Sequence, residues 1–98
     1  MIKLALDAMG GDNAPAEIIK GAVFAVNHYD LDIILVGDEN IIQRFHEPHP
    51  KISIVHASES IDMEESPLQA YKKKKNSSIH IGLKLVKDGK AQAFLSAV

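Results

Sequence analysis

The sequence predicts an α/β domain: a parallel sheet with helices on both faces, in a Rossmann-like three-layer arrangement. Strand-like and helix-like segments alternate four times along 98 residues, the pattern of crossover units with a right-handed connection. The strand-like runs, Ile33-Ile34-Leu35-Val36 above all, are continuously apolar rather than alternating, which suits strands buried on both faces. Ninety-eight residues leave room for one core, not two.

Ile2 to Leu6 forms the first strand, ending at Asp7 ahead of the turn-forming pair Gly10-Gly11. Pro15 pre-sets a helical backbone angle, with Asn13 or Ala14 as the expected cap. Ile18, Ile19, Ala22, Val23 and Val26 then recur at three- and four-residue steps, predicting an amphipathic helix from Pro15 to about His28. Asp32 to Val36 is the second strand, stopped by Gly37-Asp38, and Glu39 to about His46 is a short helix ended by Pro48 and Pro50. Ile52 to Val55 is the third strand.

Ser58 to Glu65 carries four carboxylates in eight residues and reads as an exposed loop. Ser66-Pro67-Leu68-Gln69 is a capping box with proline at the first helical position, predicting a helix to about Lys75. Asn76-Ser77-Ser78 offers a fresh cap for a helical face through Ile79, Leu83 and Val86, closed by Gly89. Ala91 to Val98 is the expected fourth strand. A parallel sheet ordinarily continues into a covering helix, so the chain reads as an incomplete domain over 1–98.

Eleven basic residues stand against thirteen acidic ones, a formal charge of -2 that gives no reason to expect nucleic acid as a partner. Cysteine is absent, which excludes disulfides, thiolate metal sites and thiol nucleophiles and fits a reducing cytoplasm. No apolar run approaches the roughly 18 residues that span a bilayer, and Asp7 interrupts any signal-peptide core. The expected location is the cytoplasm.

Ligands of open parallel sheets bind beyond the carboxyl ends of the strands. Asp7 to Ala14, Gly37-Asp38 and Ser96 onward should reach that edge. In the first segment Gly10 and Gly11 allow close approach of a ligand to the backbone, the helix start offers N–H groups to an anion, and Asp7, Asp12 and Asn13 supply polar side chains. The adjacent glycines do not make a dinucleotide fingerprint, and a strand–helix turn that merely needs glycine explains them equally well.

Lys72 to Lys75 is the second candidate. Four consecutive helical positions sweep roughly 300°, so at least one of these lysines points away from the exposed face. With Lys74, Lys75, Asn76, Ser77 and Ser78 adjacent, ammonium groups, hydroxyls and backbone N–H groups converge where a phosphate would be well held. The alternative is a solvated run complementing the helix dipole. His46-Glu47-Pro48-His49 has metal-ligating residue types but sits in a proline-bounded turn and reads as a loop. No catalytic triad is supported, and the catalytic residues are left unassigned.

Asp-Ala-Met-Gly-Gly-Asp-x-Ala-Pro over 7–15 resembles the phosphate acyltransferases of bacterial phospholipid synthesis, the PlsX family. The likeness extends through Leu35-Val36-Gly37-Asp38, the block Lys74-Lys75-Asn76-Ser77-Ser78 and the closing Ser96-Ala97, covering the chain in order. The resemblance implies transfer of a fatty acyl group from acyl carrier protein to inorganic phosphate, giving an acyl phosphate, with no cofactor and no metal. It also implies a fold similar to the isocitrate dehydrogenase and phosphotransacetylase group, a homodimer and peripheral membrane association.

The residues expected to meet substrate or phosphate are Asp7, Gly10, Gly11, Asp12, Asn13, Lys74, Lys75, Asn76, Ser77, Ser78 and Ser96. Backbone N–H groups, lysines and hydroxyls hold a phosphate nucleophile and stabilise a thioester oxyanion, and exposed lysines suit an acidic carrier protein. The family continues after Ser-Ala with Gly-Asn-Thr-Gly, whereas Val98 stands at the first of those positions, so the chain matches the amino-terminal third of such an enzyme. A phosphotransacetylase-like enzyme acting on coenzyme A thioesters, and a non-catalytic phosphate- or nucleotide-binding module, are the other readings the residues allow.

Overall fold

A computed structural model describes residues 2–11, 13–58, 68 and 76–97. Strands β1 (Ile2–Asp7), β2 (Leu31–Gly37), β3 (Ile52–His56) and β4 (Ala93–Leu95) alternate with helices α1 (Ala16–His28), α2 (Glu39–Phe45) and α3 (Ser78–Lys87). All three strand pairings are parallel and the sheet order is β3-β2-β1-β4. The α/β reading of the sequence therefore holds. Apart from Leu68, which is helical and exposed, the helix expected over 66–75 and most of the acidic stretch before it lie outside the described residues.

β2 shows why its continuous apolar run matters. Successive side chains leave opposite faces of a strand, so Ile33 and Leu35 join one core with Ile19, Ala22 and Val26 of α1 and Ile42 of α2. Ile34 and Val36 join a second core with Ala5, Ala57 and Ala91, against which Ile81, Leu85 and Val86 of α3 pack. Helices thus cover both faces: α1 and α2 on one, α3 on the other. The direction of travel explains the division. Right-handed crossovers put helices on one face while the chain moves from β1 to β3, and on the other when it returns to β4.

Two boundaries depart from the sequence reading. The cap of α1 falls on Pro15 rather than on Asn13 or Ala14, and no side chain among the described residues caps it. The chain already turns over 13–15, so the Asn13 carbonyl, not its side chain, accepts the Glu17 N–H at 3.2 Å; the Ala14–Pro15 peptide is cis. The fourth strand spans Ala93–Leu95, not Ala91 to Val98. Gly89 turns the chain at φ +75°, Ala91 packs into the second core, and ladder pairing runs only from Leu4↔Ala93 to Leu6↔Leu95. Gln92 meanwhile clasps Lys3, donating its N–H to the Lys3 carbonyl at 2.8 Å and accepting the Lys3 N–H on Oε1 at 2.6 Å.

Candidate functional site at the carboxyl edge

The chain leaves β1 toward β2 on one side and returns to place β4 on the other. Between β1 and β4 lies the topological switch point, where loops leave in opposite directions and open a crevice beyond the carboxyl ends of the strands. Asp7 closes β1 and Ser96 follows the last residue of β4.

These two side chains meet. The Ser96 hydroxyl donates to Asp7 Oδ2 at 2.8 Å, while Asp7 Oδ1 accepts the Met9 N–H at 3.0 Å. The second contact is a side-chain-to-backbone turn that starts the loop toward Gly10 and Gly11. Asp7 is only 1% exposed. Gly10 is buried beside it, and Gly11 takes φ +97°, a backbone that favours glycine. A Cβ built on Gly11 would lie 3.3 Å from the Cβ of Ala97, so the loops after β1 and β4 touch.

The α3 N-terminus belongs to the same edge. The turn after α3 leads to Gln92 beside Lys3, near the amino end of β1, so the opposite end of the helix lies toward the carboxyl end of the sheet. Ser77 caps the helix, its Oγ accepting the His80 N–H at 3.2 Å. Asp7, Ser77 and Ser78 are the buried polar side chains among the described residues, and all three lie at this end of the sheet. Asp7 also shares the strand parity of Ala5, whose side chain faces α3.

Of the residues expected at a site, Asp7, Gly10, Gly11 and Ser96 are brought together, with Ser77 and Ser78 at the same end of the fold. Asn13 lies exposed in the turn ahead of α1 and Asn76 exposed ahead of α3. Asp12, Lys74 and Lys75 lie outside the described residues. Gly37 also reaches this edge: a Cβ there would come within 2.6 Å of Met9 Cγ and 3.2 Å of Ile42 Cδ1. Its neighbour Asp38 caps α2, its Oδ1 accepting the N–H groups of Asn40 at 3.0 Å and Ile41 at 3.3 Å. The Asp7–Ser96 contact spans 89 residues of chain, and no local pattern announces it. A lone carboxylate ending a largely apolar strand is its one trace in the sequence.

The histidine segment has a different use. His49 accepts the Lys51 N–H on Nδ1 at 3.0 Å, which leaves its proton on Nε2 to donate to Asn27 Oδ1 at 3.0 Å. With both ring nitrogens engaged, His49 clasps the β3 entry to α1. Among the described residues, no group of three or more His, Asp and Glu is placed to hold a metal ion. No helix among them is long and apolar enough to cross a membrane.

Comparison with known proteins decides the family. The family model described as fatty acid synthesis protein matches residues 2–98. The chain belongs to this family. Its relatives include the phosphate acyltransferase of Desulforamulus reducens, 54% identical over 100 residues that cover 99% of this chain and 30% of that protein. The phosphate acyltransferase of Caldanaerobacter subterraneus is 48% identical over 97 residues, covering 98% of this chain and 29% of that protein. That of Clostridioides difficile is 41% identical over 100 residues, with 98% and 29% covered. The chain therefore spans about 30% of the length of these relatives.

Proposed function

We propose that the enzyme carrying this chain transfers a fatty acyl group from acyl carrier protein to inorganic phosphate, forming the acyl phosphate used in phospholipid synthesis. The observation that carries the reading is the meeting of Asp7, Gly11, Ser96 and Ala97 at the switch point, in a chain matched end to end by phosphate acyltransferases. A phosphate oxygen attacks the thioester carbonyl carbon, the C–S bond breaks, and the departing carrier thiolate takes up the proton that hydrogen phosphate gives up. Positioning the nucleophile and stabilising the oxyanion are the two demands on the protein.

The Gly10-Gly11 turn presents backbone to the phosphate, and Asn13, Asn76, Ser77 and Ser78 supply further polar groups along the edge. Lys74 and Lys75 supply charge to the phosphate, and exposed members of Lys72 to Lys75 meet the acidic carrier protein. The enzyme acts in the cytoplasm as a homodimer with peripheral contact to the membrane.

Trapping with hydroxylamine tests this reading on a full-length enzyme carrying these residues. Enzyme-dependent acyl hydroxamate, above the direct reaction of hydroxylamine with the thioester, should form from acyl carrier protein thioester only when phosphate is present. Equal formation from a coenzyme A thioester would favour the phosphotransacetylase-like reading, and no product with either donor would favour a binding module.

A further inference from the structure

We propose that Asp7 is a positioning residue for the acyl-transfer site: by accepting the Ser96 hydroxyl proton it fixes the turn after β4 against the Gly10-Gly11 turn. The proposal rests on the acyl-transfer reading above. A carboxylate as buried as Asp7 is costly unless its oxygens are hydrogen-bonded. Each oxygen here serves a different loop: Oδ1 holds the Met9 N–H after β1, and Oδ2 holds the Ser96 hydroxyl after β4. Asp7 and Ser96 stand 89 residues apart in the chain, and their loops are the two that bound the switch-point crevice. The near contact of Gly11 with Ala97 leaves little slack between them.

The direction of the hydrogen bond carries a chemical consequence. A carboxylate only accepts, and a serine hydroxyl has one proton. With that proton committed to Asp7, Ser96 does not donate to an anionic phosphate oxygen. Its part is to hold the β4 exit in place while other donors bind the phosphate charge. Asn at position 7 could still accept the Met9 N–H, but the group facing Ser96 would lose its charge or become a donor.

The test uses a full-length family enzyme carrying these 98 residues. Asp7→Asn and Ser96→Ala should each lower kcat about tenfold or more and leave the KM for phosphate within about twofold, as loss of a charge-assisted contact would. The double variant should be no worse than the poorer single one, because the pair acts as a unit. Ser96→Thr, which keeps the hydroxyl, should recover activity to within about threefold of wild type. Additive losses, an unchanged kcat in Ser96→Ala, or a phosphate KM that rises in Ser96→Ala but not in Asp7→Asn would overturn the proposal.

A readout without substrate separates this result from the fate of the acyl-transfer reading. Amide hydrogen exchange over 95–97 should quicken equally in Asp7→Asn, in Ser96→Ala and in the double variant. Exposed Ser96 makes Ser96→Ala a safe variant even if Asp7→Asn folds poorly. Should wild type form no acyl phosphate, the functional reading fails, while unchanged exchange in Ser96→Ala would refute the Asp7 link itself.

Discussion

The ring of Phe94 lies against the bare backbone of Gly82, so close that a Cβ built on the glycine would overlap it, with Phe94 Cγ at 2.8 Å. Gly82 is in the middle of α3, where glycine costs about 1 kcal/mol relative to alanine, and it is buried. The loss in helix propensity gives β4 a flush seat under α3. Gly82→Ala should therefore destabilise despite its better propensity, since overpacking of this kind costs roughly 1–3 kcal/mol. Gly21 in α1 is the control, because a Cβ there meets nothing within 4 Å among the described residues, and Gly21→Ala should stabilise by about 0.4–1 kcal/mol. Thermal melts of the two variants should move in opposite directions; a rise in both would contradict the Phe94 seat.

Asp38 sits next to the carboxyl edge but its carboxylate is engaged in capping α2. Asp38→Ala should cost about 0.5–2 kcal/mol, and Asp38→Asn much less, since Asn caps as well as Asp. Denaturant melts check this ordering. Equal losses in the two variants would show that the charge, rather than the cap, is what position 38 supplies.

Burial first, and the neighbouring His49 second, hold the His46 imidazole below the usual histidine value. Its Nδ1 is buried with no hydrogen-bond partner among the described residues, an environment that favours the neutral ring. The unfolded chain then binds the proton more readily than the folded one. The contribution of His46 to stability is full above the ordinary histidine pKa of about 6.5 and is lost as pH falls through the lower folded value. Melts from about pH 7.5 to 5 should show this loss, and His46→Gln should flatten it. A His46 titration at or above the ordinary value, followed by its ring resonances, would contradict the assignment.

β4 is an edge strand in the described sheet, and Leu95 on it is 53% exposed. It borders an open apolar groove of about 300 Å³ lined also by Leu4, Leu6, Ile18, Ala22 and Ala25. An uncovered edge beside apolar surface invites pairing with another chain. The 98-residue chain on its own should therefore self-associate and form no acyl phosphate, and Leu95→Lys should shift it toward monomer on gel filtration. A wild-type monomer with one sharp thermal transition would show that the groove needs no cover.

Local chemistry made most of this fold legible. The apolar runs of β1, β2 and β3, the Asn76-Ser77-Ser78 cap of α3 and the Gly89 stop each act through near neighbours, so their residues announce them. What escaped depends on partners distant in the chain. Ala91 to Ala97 has the composition of a longer strand, yet pairing is confined to Ala93–Leu95, and just beyond it Ser96 engages a carboxylate 89 residues earlier. The fit of glycine at position 82 likewise depends on Phe94, twelve residues further on, lying against it. The candidate site shows the same division. Its glycines and serines were visible as residue types, whereas the pairing of Asp7 with Ser96 emerges only from the order β2-β1-β4.

The most direct test of the account is the saturation curve for inorganic phosphate in a full-length enzyme carrying these residues, comparing wild type with Gly11→Ala. Gly11 stands at φ +97° with Ala97 at its side, so alanine there strains the turn by about 1–2 kcal/mol where phosphate is proposed to bind. The account predicts saturable, phosphate-dependent acyl phosphate formation in wild type and a phosphate KM raised about tenfold or more in the variant, with the fold retained. A phosphate curve unchanged by Gly11→Ala would contradict the placement of phosphate at the carboxyl edge between β1 and β4.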